Sequence, residues 1–242
     1  MDHKNLIIDI GNTRLKAAIF NGPALVKDYA FDSLENLIQA VTTLNFDHVI
    51  LSSVKWTQEE LDVSLPFPYT FLTHKTPLPI QNLYGSPETL GMDRIAAVMG
   101  ALSYAKEGPV LAIDLGTCIT YDFLDEKNNY LGGAISPGIG MRFGAMHDNT
   151  ARLPLTQLND EMVELTGNNT KSCLQSGVMY GVKFEIEGII AHYKKQHKHL
   201  RVFICGGDAK FFESLTKDYI FVIPNLILHG LNRILTYNVN KK

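Results

Sequence analysis

The chain has 242 residues, 45% hydrophobic and 19% charged, enough for one large globular domain or two small ones with real cores. A formal net charge of −3 gives no electrostatic case for binding nucleic acid or an anionic membrane. The three cysteines, Cys118, Cys173 and Cys205, form no Cys-x-x-Cys, which argues against a zinc site or a disulfide framework and for a reducing, cytoplasmic setting.

The chain runs at once into Leu6-Ile7-Ile8-Asp9, an apolar run that predicts a buried strand. No basic region with an apolar stretch precedes it, and no later run is long enough to cross a bilayer. Residues 15–20 and 24–26 flank Asn21-Gly22-Pro23, a turn signal, so a hairpin is predicted. Leu34, Leu37, Ile38, Val41 and Leu44 share one helical face behind the N-cap Ser33. Residues 48–51 return as a short strand. Ile95, Val98, Met99 and Leu102 define a helix, and a boundary is expected near Lys106-Glu107-Gly108-Pro109.

The second half repeats the plan. Residues 110–114 predict a strand, and residues 119–124 and 130–135 flank a polar turn at 125–129. A long helix is predicted over roughly 176–196, strands over 202–205 and 219–223, and a last helix through Leu226, Leu228, Leu231, Ile234 and Leu235. Hairpins imply antiparallel strands and strand–helix–strand units imply parallel ones, so each half should hold a mixed sheet with helices outside.

Both halves open on the same pattern, an apolar run ending in Asp-x-Gly and a small polar residue: Asp9-Ile10-Gly11-Asn12-Thr13 and, 105 residues on, Asp114-Leu115-Gly116-Thr117. A strand-end carboxylate beside a glycine turn and hydroxyls suits a metal-bound phosphate. Either copy alone also reads as a plain turn with Asp capping its own backbone. The pairing points to a duplicated phosphate-handling fold with a nucleotide held between the halves.

Three further segments carry candidate chemistry. In Gly91-Met92-Asp93-Arg94, Asp93 is either a helix cap or a general base, and Arg94 either an ion-pair residue or an anion clamp. The glycine-rich residues 132–140 lack Gly-Lys-Ser/Thr and are no P-loop; they read as a loop that lets backbone approach a ligand, or as a turn and a helix start. Gly206-Gly207-Asp208 follows a strand and reads as a nucleoside cradle or a simple turn. The histidines His192, His197 and His199, interleaved with lysines, read as a solvated basic face.

Taken in order, Asp-x-Gly-Asn-Thr at 9–13, Gly-x-Asp-Arg at 91–94, Asp-x-Gly-Thr-x-x-Thr at 114–120, Gly-Gly-x-Ile-x-Pro-Gly at 132–138 and Gly-Gly-Asp at 206–208 resemble the type III pantothenate kinases of the acetate and sugar kinase, Hsc70 and actin superfamily. The resemblance spans nearly the whole chain. It implies an α/β fold of duplicated ribonuclease H-like (actin-like ATPase) domains, residues 1–107 and 108–242, each a mixed five-stranded sheet flanked by helices. It implies ATP-dependent phosphorylation of pantothenate to 4'-phosphopantothenate, the first step of coenzyme A biosynthesis.

Carried over by motif, Asp9, Ile10, Gly11, Asn12, Thr13, Arg14, Leu15 and Lys16 match the first ATP-phosphate loop, and Thr117 a further ATP contact. Tyr84, Gly91, Met92, Asp93, Arg94 and Thr170 match pantothenate contacts, Asp93 being the proton acceptor and Thr170 reaching the neighbouring subunit's site. Asp114 matches the ligand of a monovalent cation, K+ or NH4+. Mg2+ accompanies ATP, and a cytoplasmic homodimer is implied, with no nucleic acid or membrane partner. Cys118, where a small residue such as Ala is usual, and Cys173-Leu174, where Ala-Ile is usual, are mild departures. The alternatives are another small-molecule kinase of the superfamily and a non-catalytic accessory factor for transcription, against which the intact pair Asp9 and Asp93 argues.

Overall fold

The structure is a computed structural model that describes residues 3–105, 108–159 and 161–241. Lys106 and Glu107, at the expected boundary, lie outside the described residues. By packing, the chain forms two compact units. The first comprises Met1–Val110, Asp122–Gly132 and Asn225–Lys242, the second Leu111–Tyr121 and Gly133–Pro224. A division at 107/108 follows chain order, whereas these units follow contacts.

In the first unit, β1 (Lys4–Ile10), β2 (Leu15–Asn21), β3 (Ala24–Phe31), β4 (His48–Ser53) and β5 (Thr70–Phe71) form a sheet in the order β3-β2-β1-β4-β5. The expected hairpin makes β1 and β2 antiparallel, and β4 returns parallel to β1 after helix α1 (Leu34–Val41). Alternation along β1 sends Leu6, Ile8 and Ile10 to one face, where they pack with Leu37 and Val41 of α1 and with Leu61 of α2 (Gln58–Ser64). Each such fully buried aliphatic side chain contributes about 1.5–3 kcal/mol. Ser33 caps α1 as expected, its side chain accepting from the Asn36 N–H.

Helix α3 (Met92–Ala105) packs against the closing helix α6 (Leu226–Val239), and α6 also contacts β1 and β4. The periodicity of α6 reveals an apolar face but cannot name the surface that buries it.

A second sheet has the order β11-β10-β7-β8-β9-β6. Its strands are β6 (Gln81–Asn82), β7 (Val110–Leu115), β8 (Cys118–Leu124), β9 (Asn129–Pro137), β10 (Arg201–Cys205) and β11 (Ile220–Val222). It has six strands where five were expected; the extra edge is a polar dipeptide with no strand signature. The glycine-rich segment is not a loop throughout: β9 runs to Pro137, and α4 (Ile139–Asp148) starts behind the N-cap Gly138. Helix α5 (Thr170–Gln196) begins six residues before the predicted start, behind a capping box made by Asn169 and Ser172. No helix among the described residues is long and apolar enough to cross a membrane.

Candidate active site

The first candidate loop leaves the central strand of its sheet. Asp9 lies opposite Lys16 of β2 and Ser52 of β4, one residue before the end of β1. The chain then turns tightly, with the Gly11 N–H donating to the Arg14 carbonyl at 3.1 Å. Asn12, Thr13 and Arg14 stand exposed on this turn, Gly11 and Lys16 are half-buried, and Ile10 and Leu15 are core residues that anchor its two ends.

The second candidate segment opens α3. Asp93 falls in the first helical turn, where its Oδ1 accepts the Arg94 N–H at 2.9 Å. A side chain on Gly91 would run into that same oxygen, so glycine leaves the space the carboxylate occupies. Burial pushes the Asp93 carboxyl above the ordinary carboxylate range, against the opposing pull of the Arg94 N–H and guanidinium. Met92, beside it, is half-buried.

Arg94 turns into the protein. Its Nε and Nη2 donate at 2.8 and 2.7 Å to Oδ1 of Asp122, a wholly buried residue of β8. The Tyr130 hydroxyl on β9 donates to the same oxygen at 2.7 Å. Burial opposes the charge on Arg94, but the Asp122 carboxylate outweighs it and raises the guanidinium's pKa. Burial first, and then the Asp122 charge, raise the Tyr130 phenol. The guanidinium lies 5.6 Å from the centre of the Tyr84 ring. That ring fills the space beside Gly132, whose φ of 93° and missing side chain admit it. Tyr84, Gly91, Asp93 and Arg94 thus form one cluster with Asp122 and Tyr130. The ion-pair alternative for Arg94 is realised, and two of its donors are committed inside the protein.

In the second unit, three separated segments close on one loop. Asp114 and Leu115 end β7, and the Gly116 N–H donates to the Cys118 carbonyl at 3.1 Å. The Gly138 N–H donates to the Thr117 carbonyl at 3.2 Å, and the Asp208 N–H to the Leu115 carbonyl at 3.0 Å. A side chain on Gly138 would strike the Thr117 and Gly116 carbonyls. Gly206, at φ 98°, lies against the Leu115 carbonyl and the Asp114 carboxylate. Two of the glycine segments singled out in the sequence are therefore scaffolding for the second Asp-x-Gly turn. Burial raises the Asp208 carboxyl against the pull of Lys210.

Thr117 is exposed and Asp114 half-buried. Thr170 opens α5 and lines an open pocket of about 570 Å³ together with Met146, Leu153, Asn168 and Cys173. Among the described residues there is no group of three or more metal-ligating side chains.

A family model described as type III pantothenate kinase matches residues 5–192, a stretch that holds the Asp9, Asp93, Asp114 and Thr170 segments. A type III pantothenate kinase of Phocaeicola vulgatus is 43% identical over 241 residues, covering 97% of this chain and 98% of that protein. The chain belongs to the type III pantothenate kinase family. Among solved structures, a Campylobacter jejuni protein ascribed to the Baf family of transcriptional activators superposes with a TM-score of 0.65 at 22% identity, over 97% of this chain and 99% of that one. A Listeria monocytogenes protein ascribed to the N-acetylmannosamine kinases follows with a TM-score of 0.55 at 14% identity, over 98% and 100% of the two chains. At those identities the likeness is one of fold, and it bears out the expected α/β class of actin-like and sugar-kinase proteins. The Baf likeness therefore gives no support to a regulatory role for this member of the pantothenate kinase family.

Asp122 and Tyr130 were missed by sequence reasoning. The available signal was Asp122 itself, a carboxylate set among apolar neighbours in the strand Cys118–Leu124.

Proposed function

We propose that the protein transfers the γ-phosphoryl group of Mg·ATP to the primary hydroxyl of pantothenate, giving 4'-phosphopantothenate and ADP in the first step of coenzyme A biosynthesis. The observation that carries this is the Asp93 carboxylate at the head of α3, raised by burial beside an arginine locked on Asp122. A base of raised pKa is a better proton acceptor near neutral pH than an ordinary carboxylate. The substrate hydroxyl gives its proton to Asp93 as its oxygen bonds to the γ-phosphorus. The bond from that phosphorus to the bridging oxygen breaks, and ADP leaves with the electron pair. Such a transfer asks for positioning and charge neutralisation more than for covalent chemistry.

Tyr84, Gly91, Met92 and Arg94 receive pantothenate, Arg94 serving its carboxylate with donors not spent on Asp122. The loop from Asp9 to Lys16 and Thr117 receive ATP. When bound, Mg2+ supplies neutralising charge to the polyphosphate, with Asp9 on its side of the nucleotide. Asp114 takes a K+ or NH4+ ion; the Leu115 carbonyl, which lies with the Asp114 carboxylate against Gly206, puts a second oxygen nearby and supports this reading. The enzyme works as a cytoplasmic homodimer in which Thr170 of one subunit serves the other's pantothenate. The exposure of Ile135, Met141 and Phe184 in the second unit supports an assembled form.

A coupled assay of ADP release, with and without pantothenate and against a panel of sugars and acetate, tests the reading. ADP release that depends on pantothenate alone is the expected result. Release driven by a sugar or acetate, or none with any acceptor, overturns it in favour of another kinase or of a non-catalytic factor.

A further inference from the structure

Glu185 lies on α5, between the buried residues Val182 and Ile186, on a helix face fixed by packing. An apolar residue would serve such a position without the cost of desolvating a carboxylate. The carboxylate instead gathers donors from three other elements. Its Oε1 accepts from the Tyr121 hydroxyl of β8 at 2.8 Å and from the Ser136 hydroxyl of β9 at 2.5 Å. Its other oxygen pairs with Arg142 of α4. Those three hydrogen bonds outweigh burial and hold the Glu185 carboxyl below its ordinary range, so it is charged at neutral pH.

The pair reaches further through Arg142. The Arg142 Nε donates to the Pro137 carbonyl at 2.8 Å. The next residue, Gly138, donates its N–H to the Thr117 carbonyl at 3.2 Å and is packed too closely on Gly116 and Thr117 to carry a side chain. An unbroken run of contacts thus leads from Glu185 through Arg142, Pro137 and Gly138 to the second Asp-x-Gly turn. The Pro137–Gly138 peptide is tied to Thr117 by a hydrogen bond and by close backbone packing.

We infer that Glu185, acting through Arg142, is a positioning residue for the nucleotide: it fixes the Gly116–Thr117 turn in the place where that turn meets ATP. The inference rests on the reading of Thr117 as an ATP contact, and the experiment separates the two. Steady-state kinetics are measured on the full chain for Glu185→Leu, Arg142→Ala, the double variant and Thr117→Val.

Glu185→Leu and Arg142→Ala should each raise the KM for ATP about tenfold, a typical coupling for a hydrogen-bonded ionic contact, and leave the KM for pantothenate within about twofold. The double variant should be no worse than the weaker single, because the two act as one unit. Glu185→Gln still accepts from Tyr121 and Ser136 and should recover part of the loss. Should Glu185→Leu not fold, Arg142→Ala carries the test alone, since its side chain is 23% exposed and its removal leaves the helix core intact. An unchanged ATP KM in Arg142→Ala, with Thr117→Val impaired, sinks the inference and spares the nucleotide reading. An unchanged ATP KM in Thr117→Val as well sinks both. Equal rises in the KM for ATP and for pantothenate also overturn it, because a merely structural role would affect both.

Discussion

One oxygen of Asp122 accepts both the Nε and the Nη2 of Arg94, at 2.8 and 2.7 Å, in the wholly buried interior of the first unit. The same oxygen takes the Tyr130 hydroxyl at 2.7 Å, so the arginine next to the proposed base is held in a fixed orientation. Removing one member of a buried pair leaves the other charge without compensation, which costs about 3–5 kcal/mol. Asp122→Ala should therefore lower the thermal midpoint sharply. A midpoint equal to wild type would show that the pair contributes nothing to the fold.

Arg94→Lys asks a different question of the same pair. A single ammonium cannot keep two contacts on Asp122 and also present a planar pair of donors to a substrate carboxylate. The KM for pantothenate should rise more than that for ATP. If the two rise together, Arg94 only braces the helix start.

Asp93→Asn should lose roughly two or more orders of magnitude in turnover while ATP binding is largely kept. The pH dependence has a definite sign. Burial raises the folded-state pKa of Asp93 above its unfolded value, so the stability it adds is present at low pH and is lost as pH rises through the folded pKa. Once ionised, the group is therefore a burden on the fold, and Asp93→Asn should be inactive yet at least as stable as wild type. In the native protein the acid limb of kcat/KM should lie above the ordinary carboxylate range. Near-normal turnover in the variant, or an acid limb at the pKa of a free aspartate, would remove Asp93 from the role of base.

Asp9→Ala should abolish use of Mg·ATP and leave a folded protein. Asp9 sits on the sheet face opposite Leu6, Ile8 and Ile10, so its loss opens no hole in their core. A folded variant with wild-type ATP kinetics would contradict the phosphate-loop reading.

The strand ends that carry Asp9 and Asp114 could be read from sequence because an apolar run stopping at Asp-x-Gly is a local signal. The head of α3 was legible for the same reason. The Arg94–Asp122 pair was not, because its members lie 28 residues apart and Asp122 sits in a stretch that reads as ordinary strand. Glycines 138 and 206 were visible as glycines but not as the walls of one turn, since close approach is a property of three segments together. The start of α5 was missed because its first turn, Thr170-Lys171-Ser172-Cys173, contains no buried residue; the cap, not an apolar face, sets it.

Asp114 makes the most exacting prediction. Two carboxylates turned toward a nucleotide would repel its phosphates, and a divalent ion beside Asp9 relieves only one of them. A K+-sized ion at Asp114 would neutralise the second. Around the Asp114 carboxylate stand Gly206, at φ 98°, and the Leu115 carbonyl, and Cys205 Sγ lies 3.6 Å away. One carboxylate is too few ligands for such an ion, so the remaining oxygens must come from backbone, nucleotide or a second subunit. Activity should fall sharply when K+ and NH4+ are replaced by Na+. Asp114→Asn should lose that dependence together with most activity, and sedimentation should show the active species as a dimer. Full activity in Na+ alone, or a fully active monomer, would refute the cation site and the shared-subunit role of Thr170 respectively.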